Sequence, residues 1–117
     1  MAASSVYHRI MARVEIPADQ IVDWPSFHDV FAKALSFPAY YGRNGDAFID
    51  CMWDIARGQD VPQRLGEDEN LTIDLGQVDK LRDRCPDQLA GLLEMVAFVN
   101  ARNVDDDLPA RIAVAFR

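Results

Sequence analysis

The stretch FPAYYGRNGDAFIDCMWD, residues 37–54, changes character halfway along, and that change decides the fold. Its first half holds Pro38, Tyr40, Tyr41 and Gly42 and reads as a loop. Asn44 is a good helix N-cap. From Gly45 onward Phe48, Cys51, Met52 and Ile55 recur at i, i+3, i+4 and i+7, the stripe of an amphipathic helix. Asp46 and Asp50 point away from that stripe, Asp54 lies beside them one turn on, and Trp53 adjoins them on the polar side. Like charges at this spacing cost an isolated helix about 0.2–0.5 kcal/mol per pair. Asp46, in the first turn, recovers part of that from the helix dipole, whereas Asp50 and Asp54 gain little. The spacing fits either a carboxylate face kept for a cationic partner or a solvated face with a partly buried tryptophan.

Before this stretch, Phe27, Val30, Phe31, Ala34 and Leu35 form another helical stripe. Asp23 or Trp24 is placed to cap it, with Pro25 tolerated in the first turn. Pro38 stops it, because the residue before a proline avoids helical geometry. Upstream, residues 11–16 read as a strand with Val14 and Ile16 on one face, ended by Pro17 and Asp19, and residues 1–10 read as a loose leader. Downstream, residues 56–70 are polar and read as a loop. Leu71–Leu75 reads as a strand and Val78–Arg84 as a brief helix around Leu81. Pro86 or Asp87 then opens a longer helix with a stripe of Leu89, Leu92, Leu93, Val96 and Val99. Asp105, Asp106, Asp107 and Pro109 form a turn, and residues 111–116 alternate, with Ile112, Val114 and Phe116 on one face. Strands separated by helical crossovers favour parallel pairing, because parallel neighbours cannot be joined by a tight turn. The expected fold is α/β, a three-stranded parallel sheet packed with helices, in one domain spanning residues 1–117.

The 117 residues, half of them hydrophobic, suffice for a core without metal or disulfide staples. Nineteen acidic against twelve basic side chains give a net charge of −7, a field that repels nucleic acid and anionic membrane and attracts basic partners. The two cysteines, Cys51 and Cys85, make no disulfide framework. No run approaches the roughly 20 apolar residues of a membrane span, and residues 1–16 lack the apolar core of a signal peptide. The reading is a cytoplasmic protein with reduced thiols.

Catalytic patterns are weak. Asp46 and Asp50 on an exposed helix face have neither burial nor a cleft to separate their pKa values as an acid–base pair requires. His8 and His28 stand apart from the cysteines and match no metal spacing, and His28 reads as a helix-surface residue. Cys51 falls on the apolar stripe and reads as a core residue. No nucleotide-binding glycine motif and no nucleophile elbow occur. The expectation is no catalytic residue, no metal, no cofactor and no enzymatic activity. The acidic residues of 67–69 and 105–107 read as solvated loop charges.

The run P-x-Y-Y-G-x-N-x-D-A-x-x-D-C, Pro38 to Cys51, resembles the core motif of the barstar family of intracellular ribonuclease inhibitors. The element order and the helix around Phe27–Leu35 extend the resemblance over most of the chain. Arg43 differs in bringing a positive charge to the loop, and Gly45 and Ile49 stand where the family carries larger or aromatic residues. The resemblance implies that the acidic helix and the preceding loop block the active site of a basic, extracellular-type ribonuclease. Asp50 would take the place of a substrate phosphate, Asp46 would pair with a basic group at the rim, and Tyr40 would lie against the enzyme's catalytic histidine. Tyr41, Gly42 and Asn44 would shape the loop. With Trp53 and Asp54 on the same face, the expected partner-binding set is Tyr40, Tyr41, Gly42, Asn44, Asp46, Asp50, Trp53 and Asp54. Relatives of this shape also act as immunity proteins, so another toxin domain is the alternative partner; nucleic acid and membrane are not expected partners.

Overall fold

In the computed structural model, residues 13–57, 65, 66 and 69–117 are described. The expected leader and most of the expected loop at residues 56–70 lie outside them. The chain runs β1 (Arg13–Ile16), a 3-10 turn (Ala18–Gln20), α1 (Trp24–Ala34), α2 (Gly45–Arg57), β2 (Leu71–Leu75), α3 (Val78–Arg84), α4 (Pro86–Asp105) and β3 (Ile112–Phe116). The three strands form one parallel sheet in the order β1-β2-β3. Val14 stands opposite Ile73 and Ile73 opposite Val114, so the alternation seen in each strand meets its neighbours in phase. The central strand is the most buried, as a strand flanked on both edges should be.

The stripes of α1 and α2 meet in an aromatic cluster. Phe27, Phe31 and Phe48 are almost wholly buried, with ring centroids 4.6–5.4 Å apart and Phe37 5.9 Å from Phe48. Ile16, Leu71, Ile73, Leu75 and Ile112 carry this core onto the sheet, and Leu92, Val96 and Val99 bring α4 into it. On the other side of β2, Asp74 lies under the guanidinium groups of Arg13 and Arg117, with Arg117 Nε 2.8 Å away. One carboxylate thus joins all three strands, and these donors hold it below the usual carboxylate range, the Arg13 hydrogen bond foremost.

Some local readings change. α2 runs on to Arg57 and packs Ala56 in the core, so residues 56 and 57, expected in the loop, belong to the helix. Leu93 is exposed: α4 buries a single seam of Leu89, Leu92, Val96, Val99 and Asn103, and Leu93 sits one step off it. Phe116 is exposed at the end of β3. His28 is buried, not a surface residue, because the chain folds back across α1 and sets the Tyr41 hydroxyl on His28 Nδ1. Asp106 is no free loop charge; it pairs with Arg57 Nη2 at 2.5 Å and ties the end of α4 to the end of α2. Among the described residues, no helix is long and apolar enough to cross a membrane.

Candidate functional site

α2 carries its two faces as the sequence requires. Phe48, Met52 and Ile55 are buried, while Asp46 and Asp50 are exposed and Asp54 is half-buried. The start of the helix is fixed by Asn44, whose Oδ1 accepts from the Ala47 amide at 2.8 Å. Phe48 N donates to Asn44 O at 2.9 Å. Asn44 also reaches back to Gly42 O through its side-chain amide at 3.4 Å. A Cβ on Gly42 would come within 3.3 Å of the Ala47 Cβ, a tight contact, so the loop lies close against the first turn of α2.

Tyr40 and Tyr41 split in role. Tyr41 is buried against Phe37, ring centroids 4.8 Å apart, and hydrogen-bonds His28. Burial foremost raises its phenol pKa, while burial and then the Arg43 charge lower that of His28, so both are neutral near pH 7. Tyr40, by contrast, is 86% exposed. An aromatic ring standing in water beside an anchored twin is free to pack on something else. Arg43, with positive φ of 57°, turns its guanidinium to Asp29 and to Pro25 O at 3.1 Å, so its charge is paired within the chain.

Tyr40, Asp50, Trp53 and Asp54 surround one shallow depression of about 570 Å³. A smaller recess of about 240 Å³ continues between the loop and α2, past Gly42 and Ala47 to Cys51. Burial, and then the neighbouring Asp50 charge, raise the Asp54 pKa above the usual carboxylate range. Burial raises the Cys51 thiol to about 11, so it stays protonated and a poor nucleophile. Asp46 lies in the first turn of α2, and Asn44 faces a different groove; neither lines the depression.

Trp53 is held by groups that sequence reasoning missed. The Arg57 guanidinium carbon lies 4.2 Å from its ring centroid and that of Arg102 lies 5.0 Å away. Arg57 is fixed in turn by Asn103 Oδ1 at 3.1 Å and by Asp106. The Trp53–Arg57 spacing of i, i+4 was a readable signal; Arg102 comes from another helix and was not readable.

The assembled surface is a row of carboxylates on a rigid helix, walled by an exposed tyrosine and a clamped tryptophan. It offers acceptors and aromatic faces but, among the described residues, no group of three or more His, Cys, Asp or Glu placed to hold a metal ion. No curated protein matches the sequence. The family model described as Barstar (barnase inhibitor) matches residues 11–115. That match spans nearly the whole chain and both halves of the loop–helix unit, and the chain therefore belongs to the barstar family.

Proposed function

We propose that this protein inhibits a basic ribonuclease by placing Asp50 where the enzyme would hold a substrate phosphate. One observation carries the reading: Asp50 projects from a well-anchored helix into a depression bordered by exposed Tyr40 and by Trp53, whose ring lies under Arg57. A carboxylate accepts charge-assisted hydrogen bonds from the same arginine, lysine and histidine groups that grip a phosphate. Tyr40 would pack on the enzyme beside it, Asp54 and Trp53 would continue the contact, and Asp46 would meet a basic group at the rim. Buried Tyr41 and exposed Gly42 and Asn44 hold the loop against α2. The Arg43 charge is paired with Asp29, which offsets it against a basic partner.

The test is capture followed by assay. Immobilised protein should retain a small basic protein from secreted fractions, and the captured protein should cleave RNA once released. Asp50→Ala should retain far less. A captured toxin with no ribonuclease activity would replace the ribonuclease reading with the broader immunity-protein one. RNA cleavage by the purified inhibitor itself, lost in Asp50→Ala, would overturn both.

A further inference from the structure

Beside the acidic face, a groove of about 460 Å³ opens between the start of α1, the start of α2 and the middle of α4. Two glycines line it. A Cβ on Gly91 would meet the Trp24 ring at 2.6 Å, so the indole packs directly against Gly91, whereas a Cβ on Gly45 would lie in ordinary contact with the Met95 sulfur at 3.8 Å. Trp24 lies along the groove, 38% exposed. Glu94 stands at its rim, exposed and without an ion-pair partner among the described residues.

The charges around the groove are unequal. Arg43 lines it, but its guanidinium is engaged by Asp29 and Pro25 O. His28 also lines it, and burial, then the Arg43 charge, hold its pKa below the ordinary range, so at neutral pH it is uncharged. Glu94 is left as the uncompensated charge, in the same groove as the Trp24 indole. The two tryptophans differ in the same way. Trp53 already has two arginines of this chain on its ring, whereas Trp24 has no cation over its ring among the described residues. A part-exposed indole and an unpaired carboxylate lining one groove fit the flat, charged head and apolar stem of one long basic side chain.

We propose that this groove is a subsite for a single cationic side chain, an arginine or lysine of the protein partner, taken between Trp24 and Glu94. The inference deepens the inhibitor reading and rests on it for the partner's identity. Through Asn44 and Gly45 the groove is continuous with the loop and helix of the acidic face. It would therefore select, among basic targets, those with a basic residue at one fixed offset from the phosphate-binding centre.

The test needs no ribonuclease. The full chain, labelled with 15N, is titrated with N-acetyl-arginine methylamide and, separately, with its uncharged citrulline analogue. The arginine compound should shift the Trp24 indole and Gly91 amide signals and leave the Trp53 indole in place; the citrulline compound should not shift them. Glu94→Gln, a change on an exposed position, should weaken arginine binding about two- to fivefold, the loss expected for one exposed ion pair. Asp50→Ala should leave the titration unchanged, which separates this site from the phosphate-mimic reading. Equal shifts with citrulline would mark an apolar pocket and overturn the proposal. So would binding unaffected by Glu94→Gln, binding weakened equally by Asp50→Ala, or no shift at the groove at accessible concentrations.

Discussion

Asp50 and Asp54 are one turn apart on the same helix, yet their surroundings differ. Asp50 is exposed in the depression, whereas Asp54 is half-buried with a raised pKa. A central carboxylate that becomes fully hydrogen-bonded on binding costs about 2–5 kcal/mol when removed, a range to which barnase–barstar complexes themselves contribute. Asp50→Ala should therefore raise the dissociation rate from the captured ribonuclease at least about tenfold. Asp54→Ala should chiefly slow association, more at low salt than at high. Surface plasmon resonance at two salt concentrations reads both rates, and identical behaviour of the two variants would defeat the phosphate-mimic idea. The raised Asp54 pKa adds a sign. Its negative charge is lost earlier than that of an ordinary carboxylate as pH falls from neutral towards about 4. Association should slow over that range in the parent protein, and less steeply in Asp54→Asn. Cys51 and Cys85 are both free thiols, one part-buried and the other buried with Sγ 3.4 Å from Ile21 O. Native protein near pH 8 should be alkylated slowly, and both thiols should react once it is unfolded; mass spectrometry counts the adducts.

At the scale of elements, α2 is held to the rest by one face and offers the other. Phe48 is fully buried among Phe27, Phe31 and Phe37, and Phe48→Ala should cost about 3–5 kcal/mol. That is a large part of a small domain's stability. Urea unfolding should show the loss, while Asp50→Ala should barely move the midpoint; the pair of variants distinguishes loss of fold from loss of contact. The sheet has its own fastening in Asp74, shielded by two arginines whose side chains are 56% and 55% exposed. Its folded pKa lies below its unfolded one, so this contribution is present above about pH 4 and is lost as pH falls through the folded value. Asp74→Asn should lower the urea midpoint at neutral pH and narrow the gap between parent and variant in acid. An equal gap at both pH values would show that the carboxylate's charge is not what joins the strands.

Across the whole molecule, a net charge of −7 should steer a basic partner, so association should slow steeply with added salt while dissociation changes little. Much of this protein was legible in its sequence. The stripes of α1, α2 and α4 and the cap at Asn44 follow from periodicity and capping chemistry, which act over a few residues, and the parallel pairing follows from the helical crossovers between strands; of the two caps open for α1, Asp23 and Trp24, the structure uses Asp23. The outward direction of Asp46 and Asp50 follows from the same helical repeat. The sequence did not contain in readable form what depends on distant segments meeting. β2 takes the centre because two crossovers set β1 and β3 on its opposite edges. His28 is buried because Tyr41, thirteen residues on, closes over it. Asp106 is neutralised by Arg57 and Trp53 is clamped by Arg102, contacts that exist only because α2 and α4 pack side by side. The Trp24–Glu94 groove joins residues of three elements in the same way. Local periodicity decides which way a side chain points from its own element; what it meets there is decided by the packing of elements far apart in the chain.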